Sequence, residues 1–220
     1  MQITWLQRHH HRECILFFTG WGMDPMPFRG LPAHDYDLCM VLDYRNLQLV
    51  DLEVFAGYQH LHLIAWSMGV WMAAHLLSEQ AHCFATATAV GGTLTPVDGQ
   101  RGIPPASYGD MLDHFGAEVL DTFYRNMFDD EAHLNRFVAN RPQRFLSELR
   151  EEMVAFREAF LRSGPGRDIY SRKIITSRDR IFSGRNQMRA WGKGCGDVRN
   201  WPHFPFYHLA DWRELLVKPK

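Results

Sequence analysis

The chain has 220 residues and a formal net charge of −1. That length suffices for one domain with a sizeable core, and the near-neutral charge gives no general attraction to nucleic acid or to an anionic membrane surface. Four scattered cysteines without metal-ligand spacing indicate free thiols in a reducing compartment, and no stretch reaches membrane-spanning length, so we expect a cytoplasmic protein.

Two strands are predicted near the start of the chain, at residues 3–6 and 14–18. The second is apolar throughout, which is typical of a strand buried on both faces. The histidines at positions 9–11 predict a polar hairpin turn rather than a metal site, because adjacent side chains point in different directions.

The second strand runs into a loop in which Trp21 stands between Gly20 and Gly22. An oxyanion that forms on a substrate carbonyl needs two preorganised donors, and flanking glycines allow the backbone N–H of Trp21 to turn inward as one of them. The alternative interpretation is an ordinary turn with a buried tryptophan.

A segment in the first third of the chain has the pattern of a serine displayed at a strand-to-helix turn. A strand signal over residues 60–65 is followed by Ser67, and a helix is predicted directly afterwards. Such a turn leaves room only for small residues two places before and after the serine, and Ala65 and Gly69 stand there. The pattern predicts Ser67 as a nucleophile and the backbone N–H of Met68 as an oxyanion donor.

The remaining strand signals alternate with helical or loop segments, which is typical of a mostly parallel sheet covered by helices. They lie at residues 38–42, 84–90, 169–176 and 198. After residue 97 the alternation stops, and three helices without an intervening strand are predicted. These helices span residues 108–128, 130–138 and 145–160. We therefore expect a core of residues 1–96 and 167–220 with a helical lid of residues 97–166.

The strand that precedes residue 177 leads into a turn that presents Asp179. A carboxylate at this turn would orient the imidazole of a catalytic histidine. One alternative is that Asp179 belongs to a surface charge cluster with its neighbours Arg178 and Arg180. The acid would then lie at the end of the earlier strand or in the inserted segment. The carboxylates available there are Asp110, Asp129, Asp130 and Glu148.

The general base is expected near the C-terminus, because the chain order serine, acid, histidine requires it there. His203 and His208 both qualify by position. We favour His203, since it follows the predicted last strand in a proline-stiffened loop, whereas His208 is expected to open a last helix over residues 209–217. A loop histidine that merely packs is the alternative.

Taken together, these motifs resemble the α/β-hydrolases, and more narrowly the BioG-type pimeloyl-[acyl-carrier protein] methyl ester esterases of bacterial biotin synthesis. The segments that carry the likeness are residues 18–22, 65–71, 102–105, 177–182 and 202–203. The resemblance implies an α/β-hydrolase fold and a Ser-His-Asp mechanism without cofactor or metal. It also implies an acyl carrier protein as the partner, and we expect a monomer.

The predicted lid is rich in arginine and also has an apolar side that is expected to roof a slot above Ser67. The resemblance implies that an acidic carrier and its phosphopantetheine arm are bound there, and arginine suits both groups. The residues proposed for this contact are Arg125, Arg141, Arg144, Arg157 and Phe145. A solvated helix face is the alternative, because glutamates are interspersed among the arginines.

Two other functions remain open from the sequence. The chain could be a different hydrolase of the same fold, such as a carboxylesterase or acyl thioesterase, because the fold does not fix the leaving group. It could also be a non-catalytic module that binds a carrier protein through its lid.

Overall fold

The computed structural model describes residues 1–48, 50–192 and 194–216. Seven strands lie within these residues, and their bounds are β1 (Gln2–Gln7), β2 (Glu13–Phe18), β3 (Tyr36–Leu42), β4 (His60–Trp66), β5 (Thr86–Val90), β6 (Arg172–Thr176) and β7 (Asp197–Arg199). Every strand signal in the sequence corresponds to one of them.

The strands form one sheet in the order β1-β3-β2-β4-β5-β6-β7. β1 pairs antiparallel with β3, and every other pair is parallel. Parallel neighbours need crossover connections, which place helices over both faces and bury the central strands. β2 accordingly has five fully buried residues in succession, from Cys14 to Phe18. The predicted mostly parallel sheet is confirmed.

Six α-helices lie within the described residues, and no helix there is long and apolar enough to cross a membrane. Their bounds are α1 (Met68–Leu77), α2 (Pro105–Asp113), α3 (Ala117–Asn126), α4 (Glu131–Ala139), α5 (Leu146–Ser163) and α6 (Gly184–Trp191). The four helices α2 to α5 all fall between β5 and β6 in the chain, which is the segment that the sequence predicted as helical.

The predicted long helix over residues 108–128 is wrong, because the structure has two helices there. α2 ends at Asp113, and Gly116 then adopts an extended conformation immediately before α3. Gly116 is the N-cap residue of α3, a position that glycine tolerates better than a helix interior, so the second helix begins after it.

The predicted C-terminal helix is also wrong within the described residues, and its last residue lies outside them. Two short 3-10 turns, Phe206–His208 and Trp212–Leu215, stand in its place. Asp211 is extended and accepts a hydrogen bond from the backbone N–H of Arg213, while the indole of Trp212 is fully buried against Phe17. Packing of this aromatic side chain into the core therefore overrides the helical pattern.

The turn at residues 9–11 differs from the predicted hairpin, because β1 and β2 are not neighbours and β3 lies between them. Asp37 of β3 holds the turn. Its carboxylate accepts the backbone N–H of His9 at 2.8 Å, that of His11 at 3.2 Å and the hydroxyl of Tyr58 at 2.7 Å. Burial alone would raise the pKa of Asp37, but these hydrogen bonds outweigh it and hold the pKa below its usual value.

Asp37→Asn is expected to lower the free energy of unfolding at pH 7 by about 2 kcal/mol, because hydrogen bonds to a buried charge are lost. The depressed pKa means that the carboxylate stabilises the fold above about pH 4, and that this contribution fades as pH falls through the folded-state pKa. Urea denaturation at pH 7 and pH 3, with the exposed Asp35→Asn as control, measures the effect. A difference from the wild type that stays constant down to pH 3 would contradict it.

Candidate active site

Ser67 stands alone between the end of β4 and the start of α1, at the sharp turn that the sequence predicts. Its backbone has φ 58° and ψ −125°, a strained conformation for a residue with a side chain. The turn is closely packed on both sides. A Cβ atom on Gly69 would lie 2.4 Å from the carbonyl oxygens of Phe18 and Thr19, and one on Gly92 would lie 2.3 Å from the carbonyl oxygen of Ser67. Glycine at position 69 is therefore required by the close approach of the β2 loop.

Asp179 and His203 meet in the interior, although 24 residues separate them in the chain. His203 Nδ1 lies 2.8 Å from Asp179 Oδ2, and the two residues are 1% and 6% exposed. Because an ionised carboxylate only accepts hydrogen bonds, Nδ1 carries the proton and Nε2 holds the free lone pair. The ring is therefore in the tautomer that a general base requires.

Residues of the turn after β6 and of α6 hold the carboxylate of Asp179 in a fixed orientation. Oδ1 accepts the backbone N–H of Ile181 at 2.7 Å and that of Phe182 at 2.8 Å. Oδ2 accepts the hydroxyl of Thr176 at 2.8 Å and the side-chain amide of Gln187 at 3.1 Å. This network orients the one oxygen that faces the imidazole.

Gln187 lies on α6, a helix that the sequence did not predict. The helix is short and mostly polar, so it lacks an apolar stripe, and its start is marked only by Ser183, whose hydroxyl accepts the N–H of Asn186. Gln187 is nevertheless fully buried, and its amide reaches Thr176 and Asp179. The serine cap was the one local signal that could have indicated the helix.

Trp66 connects the serine turn to the histidine loop. Its indole N–H donates to the carbonyl oxygen of His203 at 2.7 Å, and the two rings lie 5.1 Å apart. Because Trp66 directly precedes Ser67, this bond holds the histidine loop against the turn. His203 Nε2 is buried and makes no hydrogen bond to any described residue, Ser67 Oγ included.

The other candidate acids and the other candidate base have different contacts. Asp129 Oδ2 lies 2.7 Å from Arg178, and Asp110 and Asp130 each lie beside a histidine of their own helix. The ring of His208 packs edge-on against that of His133, with 4.6 Å between the centroids. Glu148 pairs with an arginine after β3. Asp179 is thus the acid among them that contacts His203.

A cavity of about 740 Å³ opens above Ser67. Trp21 and Met68 line it beside the serine, and within the described residues their backbone N–H groups have no acceptor. The inserted segment contributes both apolar and polar residues to the lining. The apolar ones include Tyr108, Met111, Val119, Phe123 and Met153, and the polar ones are Ser107, Asp110, His114, Glu118, Thr122 and Asn126.

The five residues predicted for carrier binding lie in different environments. Arg125, Arg141 and Arg157 are exposed, and Phe145 is 74% exposed at the start of α5. The prediction for Arg144 is wrong, because its side chain is only 8% exposed and forms ion pairs inside the protein. Sequence spacing cannot separate such an arginine from its exposed neighbours, since one of its two partners, Asp43, lies on a distant part of the chain.

One group of described residues has a spacing that could hold a metal ion, namely Asp130, His133 and His208, whose ligand atoms lie within 4.8 Å of one another. None of the three lines the cavity above Ser67. His133 Nδ1 and Asp130 Oδ2 are already at the hydrogen-bonding distance of 2.8 Å. We therefore treat this group as separate from the candidate active site.

Comparison with known proteins decides the family. The model of the family described as pimeloyl-ACP methyl esterase BioG matches residues 1–215. The chain belongs to the BioG family. This confirms the resemblance seen in the sequence, and the expected esterase activity in biotin synthesis is that of the family.

Individual relatives agree with this assignment. A crystal structure of BioG from Haemophilus influenzae superposes with a TM-score of 0.88 at 30% identity, covering 99% of this chain and 100% of that one. A Bacteroides fragilis protein named malonyl-[acyl-carrier protein] O-methyltransferase is 35% identical over 94% of this chain, which spans only 41% of that protein's length. The crystal structure of a hydrolase from Pseudomonas aeruginosa superposes with a TM-score of 0.65 at 12% identity, covering 94% of this chain and 88% of that one. This likeness shows that the chain shares the α/β-hydrolase fold.

Proposed function

We propose that this chain hydrolyses the methyl ester of pimeloyl-[acyl-carrier protein] through a Ser67-His203-Asp179 triad. The observation that carries the proposal is the buried Asp179–His203 pair, whose free Nε2 belongs to a loop that Trp66 ties to the Ser67 turn. Membership of the BioG family supplies the substrate.

In the first half of the reaction, His203 Nε2 accepts the Ser67 hydroxyl proton while Oγ attacks the ester carbonyl carbon. The resulting oxyanion is held by the backbone N–H groups of Met68 and Trp21. When the tetrahedral intermediate collapses, the imidazolium returns the proton to the leaving oxygen, and methanol departs from the acyl-enzyme.

In the second half, water attacks the acyl-enzyme carbonyl and gives its proton to His203 Nε2. Collapse of the second tetrahedral intermediate passes that proton to Ser67 Oγ and releases the free carboxylate, which stays linked to its carrier through the thioester. Asp179 keeps the ring in the correct tautomer and stabilises the imidazolium in both halves.

Asp179→Asn is expected to lower kcat by about 10⁴-fold, because an amide at this position favours the wrong imidazole tautomer. Steady-state hydrolysis of the carrier-linked ester measures the loss. Asp129→Asn is the matched control, since Asp129 is a carboxylate that the sequence left open as the acid but that pairs with Arg178. Equal losses in both variants would contradict the assignment of Asp179.

The cavity and the surface around it suit a long acyl chain on a carrier arm. A volume of about 740 Å³ falls within the range of small-molecule pockets, roughly 300–1,000 Å³. The glutamates that would cancel the arginine charge are largely engaged by other partners, since Glu148 and Glu151 pair with Arg45 and Glu152 pairs with Arg144. The positive charges at Arg125 and Arg157 can therefore face an acidic carrier, whereas Arg141 lies 3.7 Å from Asp121, which offsets part of its charge.

The substrate is tested by comparing kcat/KM for three compounds: pimeloyl-carrier methyl ester, free dimethyl pimelate and a pimeloyl-carrier thioester without the methyl group. The proposal expects the first to be the best substrate, with cleavage at the methyl ester and the thioester intact by intact-mass analysis. Preference for the thioester would favour the acyl thioesterase alternative. A protein that binds carrier but turns over none of the three would favour the binding module.

The same proposal places the enzyme in the cytoplasm as a monomer. Cys14 and Cys39 are unpaired buried thiols in neighbouring strands, as is usual in a reducing compartment. Light scattering of the purified chain, alone and with carrier protein, gives the oligomeric state and the stoichiometry of the complex.

A further inference from the structure

Glu152 is a fully buried carboxylate on α5, the longest helix of the insertion, and it contacts the loop that carries Trp21. Its Oε2 accepts the backbone N–H of Gly22 at 3.4 Å and a guanidinium N–H of Arg144 at 2.5 Å. Its Oε1 accepts the backbone N–H of Tyr44 at 2.9 Å. The carboxylate thus connects the insertion to two loops of the core, one after β2 and one after β3.

A second bond joins the same helix to the same loop. The indole N–H of Trp21 donates to the carbonyl oxygen of Leu149 at 2.8 Å, one helical turn before Glu152. Gly22 has φ +75°, and a Cβ atom there would lie 3.4 Å from the side chain of Leu149. Two adjacent groups of the loop are therefore held by α5: the indole of Trp21, and the N–H of the peptide that joins Trp21 to Gly22.

Burying Glu152 is costly and raises its pKa, and Arg144 offsets part of that cost. An ion pair between the insertion and the core would need only Arg144, which precedes α5, and Asp43, whose atoms lie 3.2 Å apart. The additional hydrogen bond, which Glu152 accepts from the backbone N–H of Gly22, has an effect that the ion pair alone does not have. It fixes a peptide next to the N–H that is proposed to meet the oxyanion.

We propose that Glu152 is a positioning residue for the oxyanion hole. By accepting a hydrogen bond from the N–H of Gly22, it fixes the orientation of the loop peptides so that the Trp21 N–H faces the cavity beside Met68. This inference rests on the proposed function. The inference also means that a helix of the insertion holds a hydrogen-bond donor of the core, the Trp21 N–H, in place. The oxyanion hole is then complete only when α5 is packed against the loop that carries Trp21.

The test compares Glu152→Gln with Asp43→Asn. An amide at position 152 keeps one uncharged acceptor oxygen for the three donors that the carboxylate now accepts, which are Tyr44, Gly22 and Arg144. The Gly22 N–H therefore either loses its acceptor or keeps only a weaker, uncharged one. Asp43→Asn removes a charge from the same cluster, which includes Arg45 and Arg144, without touching the Trp21 loop. Asp43 has φ +60°, a conformation that asparagine tolerates.

Glu152→Gln is expected to lower kcat by roughly 10- to 100-fold with KM within about twofold, because loss of a whole oxyanion donor costs about 10²–10³ in kcat and a misaligned donor loses part of that. Affinity for a seven-carbon trifluoromethyl ketone, which forms an oxyanion on the serine, should fall by a similar factor. Asp43→Asn should stay within about threefold of the wild type in both measurements.

The proposal would be overturned if Glu152→Gln and Asp43→Asn lowered kcat and ketone affinity equally, with losses that follow only the decrease in melting temperature. That result would show that Glu152 stabilises the fold and does not position the oxyanion hole. If Glu152→Gln does not fold, Glu152→Asp decides, because it keeps the charge that pairs with Arg144 but is one methylene shorter, which withdraws the carboxylate from the Gly22 N–H. Wild-type kcat and ketone affinity in that variant would overturn the proposal. A wild-type protein that hydrolyses no ester would instead contradict the proposed function itself.

Discussion

Ser67→Ala should hydrolyse the pimeloyl-carrier methyl ester about 10⁶-fold more slowly than the wild type, since removing the nucleophile of a serine triad abolishes nearly all of its catalysis. Affinity for the carrier substrate should be retained, because the cavity keeps its shape when one hydroxyl is removed. Steady-state assays of methanol release measure the rate of hydrolysis, and a titration with the carrier-linked substrate measures the affinity.

Ser147→Ala is the matched control, because Ser147 is exposed in the first turn of α5 and the chemical change is identical. It should behave as the wild type in both assays. A Ser67→Ala protein that keeps more than a hundredth of the wild-type rate would show that another group performs the attack.

His203→Ala should lower kcat by a similar factor of about 10⁶, because without the imidazole neither the serine nor the hydrolytic water has a base. The substitution leaves a space beside Asp179, so added imidazole should restore part of the rate. His208→Ala is the control, since His208 also lies near the C-terminus but packs against His133, and its rate should stay within about twofold of the wild type.

This pair of variants separates catalysis from folding. A purely structural histidine would lower the melting temperature, yet its replacement would show no rescue by imidazole. If His208→Ala were the slower of the two proteins and responded to imidazole, the assignment of the base would be reversed.

The sequence predicts the fold correctly where a strand is buried on both faces of the sheet, because such a strand has a continuous apolar run. β2 is such a strand, and so is the second half of β4. Gly69 marks the turn between β4 and α1, because a Cβ atom there would lie 2.4 Å from the carbonyl oxygens of Phe18 and Thr19. These signals are local, so one chain is enough to show them.

The features that the sequence missed depend on tertiary contacts rather than on a local pattern. α6 has no apolar stripe, and its buried Gln187 is explained only by Thr176 and Asp179 across the turn. Arg144 resembles the other arginines of the insertion, and only the position of Asp43, about a hundred residues earlier, shows that it is buried. Trp212 likewise follows tertiary packing rather than helical periodicity.

The contact between Asp179 and His203 was predicted in part from the sequence. The chain order serine, acid, histidine predicted which segments to compare, and the structure shows a 2.8 Å contact between the two side chains. Their action on Ser67 stays a prediction, because the transfer of a proton between His203 Nε2 and Ser67 Oγ is a property of the reacting complex.

The most direct test of the account is the mass of the peptide that reacts with a fluorophosphonate. Such a reagent phosphonylates a serine only when a neighbouring base activates it and an oxyanion hole accepts the phosphoryl oxygen. We predict one adduct per chain, on Ser67, formed at the rate at which esterase activity disappears. Complete loss of activity with the label on any other residue, or full labelling of a His203→Ala protein, would contradict the proposed mechanism.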